Sequence, residues 1–257
     1  MKSLSVALWT ESAKALKSRT LFLTLVFFMI IPLMLGLMMF ISGHPEISGK
    51  LGLVGTKAAF FSKSNWGTYF LMLNQSAATI GILGFGFVFS WIFGREYADR
   101  TMKDLLALPV SRTSLVLAKI VIASLWCIML AIILLVSGLA VGALLQMPGW
   151  SPAIARDNLF RFLMIESLTL IVSLPVAFFA SYGRGYLLPM GFVIITLIIA
   201  QFSGLVGLGK FIPWAVPGMF SFPGQLHPPA VSFCILILTG LAGILVTIAW
   251  WKRADQF

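Results

Sequence analysis

Residues 21–41 read LFLTLVFFMIIPLMLGLMMFI, a continuous apolar run that contains no charged residue. About 20 apolar residues in a helix cross the hydrocarbon core of a bilayer, so this run predicts a membrane-spanning helix. It is also longer than the apolar region of a secretory signal, and we interpret it as a retained span rather than a cleaved leader.

Five similar runs follow, and together they predict an all-α integral membrane protein with a single transmembrane domain, residues 1–257. The predicted spans are residues 21–41, 69–93, 120–146, 162–181, 186–208 and 230–251. The composition agrees, because 60% of the residues are hydrophobic and only 10% are charged, whereas a soluble domain carries about 25% charged residues. In the second span Gly81, Gly84 and Gly86 predict close contact with neighbouring helices.

The basic residues divide unequally between the two sides of the predicted membrane. Twelve of the 18 lie on the side of the N-terminus, and six (Lys50, Lys57, Lys63, Arg156, Arg161 and Lys210) lie on the other. Because loops rich in Lys and Arg stay in the cytoplasm, both termini are expected there. The net charge of +10 therefore reflects orientation in a cell membrane, and no basic stripe with interleaved aromatic residues indicates nucleic-acid binding.

The first 18 residues have the pattern of an amphipathic helix. Polar residues, including Glu11, fall on one solvated arc of the helix, and apolar residues fall on the other, namely Val6, Trp9, Ala13 and Leu16. Such a helix lies flat at the membrane surface, with Trp9 among the lipid headgroups and Lys14 and Lys17 towards anionic lipid. The alternative is a frayed basic tail that only sets the topology.

The segment between spans two and three, GREYADRTMKDLLALPVSR at residues 94–112, predicts a second amphipathic helix. Acidic residues precede basic ones by four positions, as in Glu96 with Arg100 and Asp99 with Lys103, which is the favourable order on a helix. Pro109 ends the predicted helix, and Ser111 or Thr113 is placed to cap the next one. A short helix with one apolar face indicates docking to a partner, and a solvated helix on the membrane is the alternative.

This segment resembles the one between spans two and three in permease subunits of type-2 ABC exporters. The likeness rests on Glu96, on LLALPVSR at residues 105–112 and on Lys119. The N-terminal helix is similar to the connecting, or elbow, helix of that family. The chain departs from many relatives at Asp99-Arg100-Thr101, where they carry a glycine before the threonine.

The resemblance implies that residues 96–108 form a coupling helix seated on a separate ABC ATPase subunit. The implied contacts are Glu96, Tyr97, Asp99, Arg100, Met102, Lys103, Asp104 and Leu105. It also implies that ATP and Mg²⁺ bind in the ATPase and not in this chain, and that the permease pairs with a second copy or a paralogous permease. In agreement, the sequence contains no phosphate-binding loop of the Gly-x-x-x-x-Gly-Lys-[Ser/Thr] type.

Two features on the opposite side are candidates for a cargo path. Lys210–Pro229 contains five prolines and predicts short broken helices at the outer leaflet. Within it, residues 211–217 resemble a stretch of the bacitracin- and lantibiotic-resistance branch of these permeases. Pro213, Trp214 and Pro217 form either an outer gate or an ordinary loop anchored by Trp214.

The second candidate is Glu166, a carboxylate inside the fourth predicted span. Because a charge in a membrane span is costly, Glu166 is expected to face the bundle interior and either to meet cargo or to pair with Arg161 or Arg156.

These patterns favour a permease subunit of an ATP-driven exporter in a cell membrane, most consistent with a bacterial one. The expected cargo is amphipathic or lipid-associated, such as a peptide antibiotic or a drug. The alternatives are an intramembrane lipid-modifying or hydrolytic enzyme, and an ATP-independent scaffold or channel. The predicted spans offer no histidine and one carboxylate, so neither catalytic residues nor metal ligands are assigned.

Overall fold

The computed structural model describes residues 2–44, 65–107, 109–222 and 229–253. Three predicted outer basic residues (Lys50, Lys57 and Lys63) lie outside these ranges, and so do residues 223–228 of the proline-rich segment, which include Pro223, His227 and Pro228. Within them the chain is helical and contains no strand, which confirms the predicted all-α class.

Six helical stretches of the described chain are long and apolar enough to cross a membrane, as predicted. The chain begins with helix α1 (Lys2–Leu16) and the first span α2 (Arg19–Gly43). Then come α3 (Trp66–Ala98), the short α4 (Met102–Ala107), α5 (Arg112–Leu144), α6 (Pro152–Ser173), α7 (Val176–Tyr182), α8 (Leu187–Leu205), α9 (Val216–Met219) and α10 (Ala230–Arg253). Helices α6 and α7 together form the fourth span, which Pro175 interrupts.

Helix α3 lies at the centre of the bundle. In its most apolar stretch 67% of the residues are buried, against 22% in both α2 and α8, whose outer faces remain exposed. It packs against α2, α5, α6 and α8. The three glycines predicted to allow close contact do so: Gly81 faces Thr169, Gly84 faces the Phe28 ring and Gly86 faces Val193.

The third span begins earlier than predicted, and this changes the environment of one lysine. Ser111 caps α5, because its side chain accepts a hydrogen bond from the Ser114 backbone N–H, as the sequence suggested. The helix therefore starts at Arg112 instead of residue 120, and Lys119 lies two turns inside it. Lys119 is 0% exposed, so it is a core residue rather than part of the preceding loop.

Helix α10 closes the end of the bundle at which α5 begins. Trp251 is buried, and its indole N–H donates to the Ser181 hydroxyl at 2.8 Å. Arg112 donates to the Trp251 carbonyl at 3.0 Å. These two bonds hold the last turn of α10 against the first turn of α5 and the end of α7.

Candidate functional site

Helix α1 packs on the bundle through a face that the amphipathic pattern did not identify. Ala7, Glu11 and Ala15, spaced by four residues, are 3%, 3% and 6% exposed. The two alanines let α1 lie close to α5, and Glu11 enters the protein between them. The predicted placement of Glu11 on the solvated arc is therefore wrong, because α5 covers that part of the helix.

The predicted interfacial residues of α1 divide into two groups. Trp9 is 74% exposed and Lys17 is exposed, so both are free to meet a membrane surface. The Lys14 ammonium instead contacts the protein, where it donates to Glu11 Oε1 at 2.9 Å and to Glu96 Oε1 at 3.3 Å. This ammonium is therefore paired with two carboxylates of the protein, and its expected contact with anionic lipid stays a prediction.

The Lys119 ammonium lies at the centre of a buried ion cluster. It donates to Glu96 Oε1 at 2.8 Å, to Glu11 Oε2 at 3.1 Å and to the Ile92 carbonyl at 3.0 Å. An ammonium has three N–H donors, and all three have an acceptor here. One side chain of α5 thus binds both α1 and the last turns of α3.

Arg95, whose side chain is 13% exposed, completes the cluster. Its guanidinium lies 3.4 Å from Glu96 Oε1 and 3.8 Å from Glu11 Oε2, and it stacks 4.6 Å above the Trp91 ring. Two carboxylates are thereby surrounded by three cations, Lys14, Arg95 and Lys119. We refer to these five charged residues as the ion cluster.

The chain leaves α3 through a turn that ends the predicted continuous helix. Arg100 has a φ of 59°, in the left-handed region. The Thr101 N–H donates to the Glu96 carbonyl at 2.9 Å, and the Arg100 N–H donates to the Tyr97 carbonyl at 3.2 Å. This pair of bonds is a Schellman motif, whose left-handed position usually holds glycine. Arg100 occupies the position before the threonine, where the family resemblance leads one to expect a glycine.

This turn corrects the expectation of one amphipathic helix over residues 96–108. Two helices, the end of α3 and the six-residue α4, are joined by Asp99, Arg100 and Thr101. Because Arg100 is not helical, the predicted pair with Glu96 is not formed on one helix face, and Glu96 binds the ion cluster instead. Leu108 lies outside the described residues.

The eight residues predicted to contact an ATPase lie in two layers. Glu96, Met102 and Leu105 are 2%, 4% and 6% exposed, so they are buried against other parts of the protein. The other layer consists of the half-buried Tyr97 and the exposed Asp99, Arg100, Lys103 and Asp104. The accessible surface of the segment is therefore its charged side, and its apolar face anchors it to the bundle.

Glu166 faces the bundle interior, as expected, but without its predicted partners. It is 6% exposed, and neither carboxylate oxygen has a hydrogen-bond partner among the described residues. Arg161 donates to the carbonyls of Phe220 and Phe222 at 3.3 and 3.2 Å, and Arg156 lies 3.6 Å from Asp157. The predicted pairing is wrong because the broken backbone after α9 offers Arg161 free carbonyl groups.

On the opposite side, the described part of the proline-rich segment forms the predicted short broken helices. Two 3₁₀ turns, Gly209–Phe211 and Pro213–Ala215, precede α9. Pro213 and Pro217 are buried as packing residues. The Trp214 indole N–H donates to the Val172 carbonyl at 3.1 Å, and its ring meets the Phe192 ring edge-on at 5.5 Å.

A partly open cavity of 590 Å³ lies between this segment, α3 and α8. Of the predicted outer-gate residues only Trp214 lines it, while Pro213, Pro217 and Glu166 do not. Its polar lining residues, which the sequence reasoning missed apart from Trp214, are Gln75, Thr79, Gln201, Lys210, Trp214 and Ser221. On α3 the four-residue spacing of Gln75 and Thr79 was the available signal.

Comparison with known proteins agrees with the resemblance drawn from residues 96–119. The family described as ABC-2 family transporter protein matches residues 7–203. The chain is also 31% identical over 183 residues to the bacitracin transport permease protein BCRB of Bacillus licheniformis. The aligned region covers 68% of this chain and 86% of that protein. No solved structure matches the chain.

Removing the central lysine tests whether the ion cluster stabilises the fold. We expect Lys119→Met to destabilise the protein by about 3 kcal/mol, because two buried carboxylates lose their principal partner. SDS-induced unfolding of the purified protein measures this change. Lys252→Met, at the exposed end of α10, is the matched control and is expected to change stability by less than about 0.5 kcal/mol. Equal effects of the two variants would contradict the buried cluster.

The left-handed turn gives a second test, in which a substitution by glycine is expected to stabilise the protein. We expect Arg100→Gly to raise the unfolding free energy by up to about 1 kcal/mol, because glycine adopts positive φ without steric cost. Lys103→Gly, in helix α4, is the control and is expected to lower it by about 1 kcal/mol. Thermal unfolding of the permease alone measures both variants. A loss of stability in both would mean that residue 100 is not left-handed.

Proposed function

Because the chain belongs to the ABC-2 family of transporter proteins, we propose that it is the membrane permease of an ATP-driven exporter whose separate ATPase subunit binds the turn and α4. The proposed contact surface consists of Tyr97, Asp99, Arg100, Lys103 and Asp104. This revises the sequence expectation, since Glu96, Met102 and Leu105 are assigned to holding that surface in place.

The observation that carries this proposal is the ion cluster directly beneath the turn. Glu96 accepts the Thr101 N–H with its carbonyl and binds Lys119 with its side chain. Met102 and Leu105 pack into the same core as α1 and α5. A charged, exposed turn fixed to three helices at once is suited to receive a force, whereas a loosely attached loop would absorb it.

The mechanism follows from this attachment. ATP binding draws the two ATPase subunits together and displaces the surface they hold. The displacement passes through Glu96 to Lys119 and Glu11, so α1 and the bases of α3 and α5 move together. A rigid-body shift of this kind reorients a transporter when the interface is bistable. ATP and Mg²⁺ act in the partner subunit.

The proposed orientation places both termini, the ion cluster and α4 in the cytoplasm. It is supported by the twelve basic residues that the chain carries on this side of its six spans. In this orientation the exposed Trp9 of α1 lies at the inner surface of a bacterial cell membrane, and the cavity beside Trp214 lies in the outer half of the bundle.

For the cargo we propose an amphipathic or lipid-associated molecule, such as a peptide antibiotic or a drug. The proposal is supported by the similarity to a protein named as a bacitracin transport permease and by the cavity beside Trp214, whose described lining contains one charged residue. The working unit is proposed to be two permeases, either two copies of this chain or one copy with a paralogue, with two ATPases.

Charge reversal on the proposed contact surface tests the partner assignment. We expect the double variant Arg100→Glu with Asp104→Lys to lose the co-purifying ATPase from native membranes. Each reversed charge would repel the residue of the ATPase with which the original charge pairs. Lys252→Glu is the control, since this exposed charge is on α10 and is not part of the proposed contact surface. The permease must remain folded in both variants, which its unfolding temperature verifies.

The outcome is measured as the molar ratio of ATPase to permease after affinity purification. A ratio retained by the double variant would contradict the contact surface. The absence of any ATPase with the unmodified protein would contradict the proposed function as a whole.

A further inference from the structure

The outer cavity has the size of a ligand site. Its volume is 590 Å³, within the range of about 300–1,000 Å³ that holds small-molecule ligands. Helices α3 and α8 supply two walls, and the segment from Gly207 to Phe222 supplies the third. Small residues keep the space open on α8, where a side chain added at Gly204 would meet no atom within 4 Å.

The walls combine an apolar surface with a row of neutral polar groups. On α3, Gln75 and Thr79 lie one helical turn apart, next to Ile82. On α8, Gln201 faces Thr79, with its amide nitrogen 3.5 Å from the threonine oxygen, and Leu197 continues the apolar surface. Amide and hydroxyl groups are able to bind a polar head, while the aliphatic side chains accept a hydrocarbon portion.

A single charge lines the cavity among the residues that the structure describes, and it is positive. Lys210 is exposed, and no carboxylate of the described chain forms an ion pair with it. Its ammonium lies 5.0 Å above the Phe211 ring, and its carbonyl accepts the Ser232 hydroxyl. The backbone of the lysine is thus fixed, while its ammonium has donors available for an anion.

We propose that this cavity binds an amphipathic molecule carrying one anionic group, with the anion on Lys210 and the apolar part against α3 and α8. This site deepens the proposed transport function. Only the identification of the bound molecule as the cargo rests on that function, and the binding itself does not. A cationic amphipath, with one positive charge or two, is disfavoured because the Lys210 ammonium would repel it. Gln75 and Gln201 are assigned to orient the head group.

The test compares two probes that share one hydrocarbon chain and one fluorophore, of which a single one carries a negative charge. They are 11-(dansylamino)undecanoic acid, which is ionised at neutral pH, and its methyl ester, which is uncharged and carries one more methyl group; each is titrated by fluorescence into the full chain in nanodiscs of zwitterionic lipid. Empty nanodiscs correct for partition into lipid. We expect the acid to bind the protein roughly tenfold more tightly than the ester, because its carboxylate gains a charge-assisted hydrogen bond.

Three variants locate that binding. Lys210→Gln is expected to weaken the acid roughly tenfold and to leave the ester unchanged, whereas Lys210→Arg retains acid binding. Gly204→Leu is expected to weaken both probes by filling the cavity. Gly191→Leu, on the same helix, is the matched control, because a side chain added there also meets no atom within 4 Å and does not line the cavity.

Equal binding of acid and ester, or unchanged acid affinity in Lys210→Gln, would overturn the anion assignment. Equal effects of Gly204→Leu and Gly191→Leu would overturn the cavity as the site. Neither outcome depends on the ATPase, so the site and the exporter function are tested separately. If the probe binds as expected but no ATPase co-purifies, only the proposed function fails.

Discussion

The burial of the Lys119 ammonium is the constraint on which the cytoplasmic half of this protein depends. A lysine that is 0% exposed is tolerated only when its charge and its three donors are matched. Glu11, Glu96 and the Ile92 carbonyl provide that match from α1 and α3. Because the acceptors belong to separate helices, neither helix can move away without removing one carboxylate partner from the buried ammonium.

This requirement explains why the segment after α3 is both exposed and firmly placed. Glu96 contributes its side chain to the ion cluster and its carbonyl to the turn that carries Asp99 and Arg100. A displacement of the turn is therefore a displacement of Glu96, and through Lys119 it reaches α1 and α5. The proposed path from the ATPase surface to the spans consists of these few bonds, with Met102 and Leu105 as its apolar support.

The sequence predicted the spans well because the bilayer imposes their length and composition, but it misplaced the charges at their ends. Glu11 and Lys119 are separated by 108 residues. The helical pattern placed Glu11 on the polar arc, and the predicted span, residues 120–146, left Lys119 outside the membrane, because each prediction considers one segment at a time. Tertiary packing buries both side chains instead. The same limitation applies to Glu166, whose expected partner Arg161 binds the carbonyls that the broken outer segment leaves free. The left-handed turn was signalled at Arg100 by the departure from a family glycine, although its effect on the helix was not anticipated.

A double-mutant cycle between Glu11 and Lys119 tests the central claim most directly. The unfolding free energy is measured for Glu11→Met, Lys119→Met and the double variant, with Glu11→Met and Lys252→Met as the reference pair. The buried ion pair predicts a coupling energy of about 1–3 kcal/mol between Glu11 and Lys119, because the double variant removes both charges together. Additivity within about 0.5 kcal/mol, as expected for the reference pair, would show that the two residues do not interact and would contradict the account.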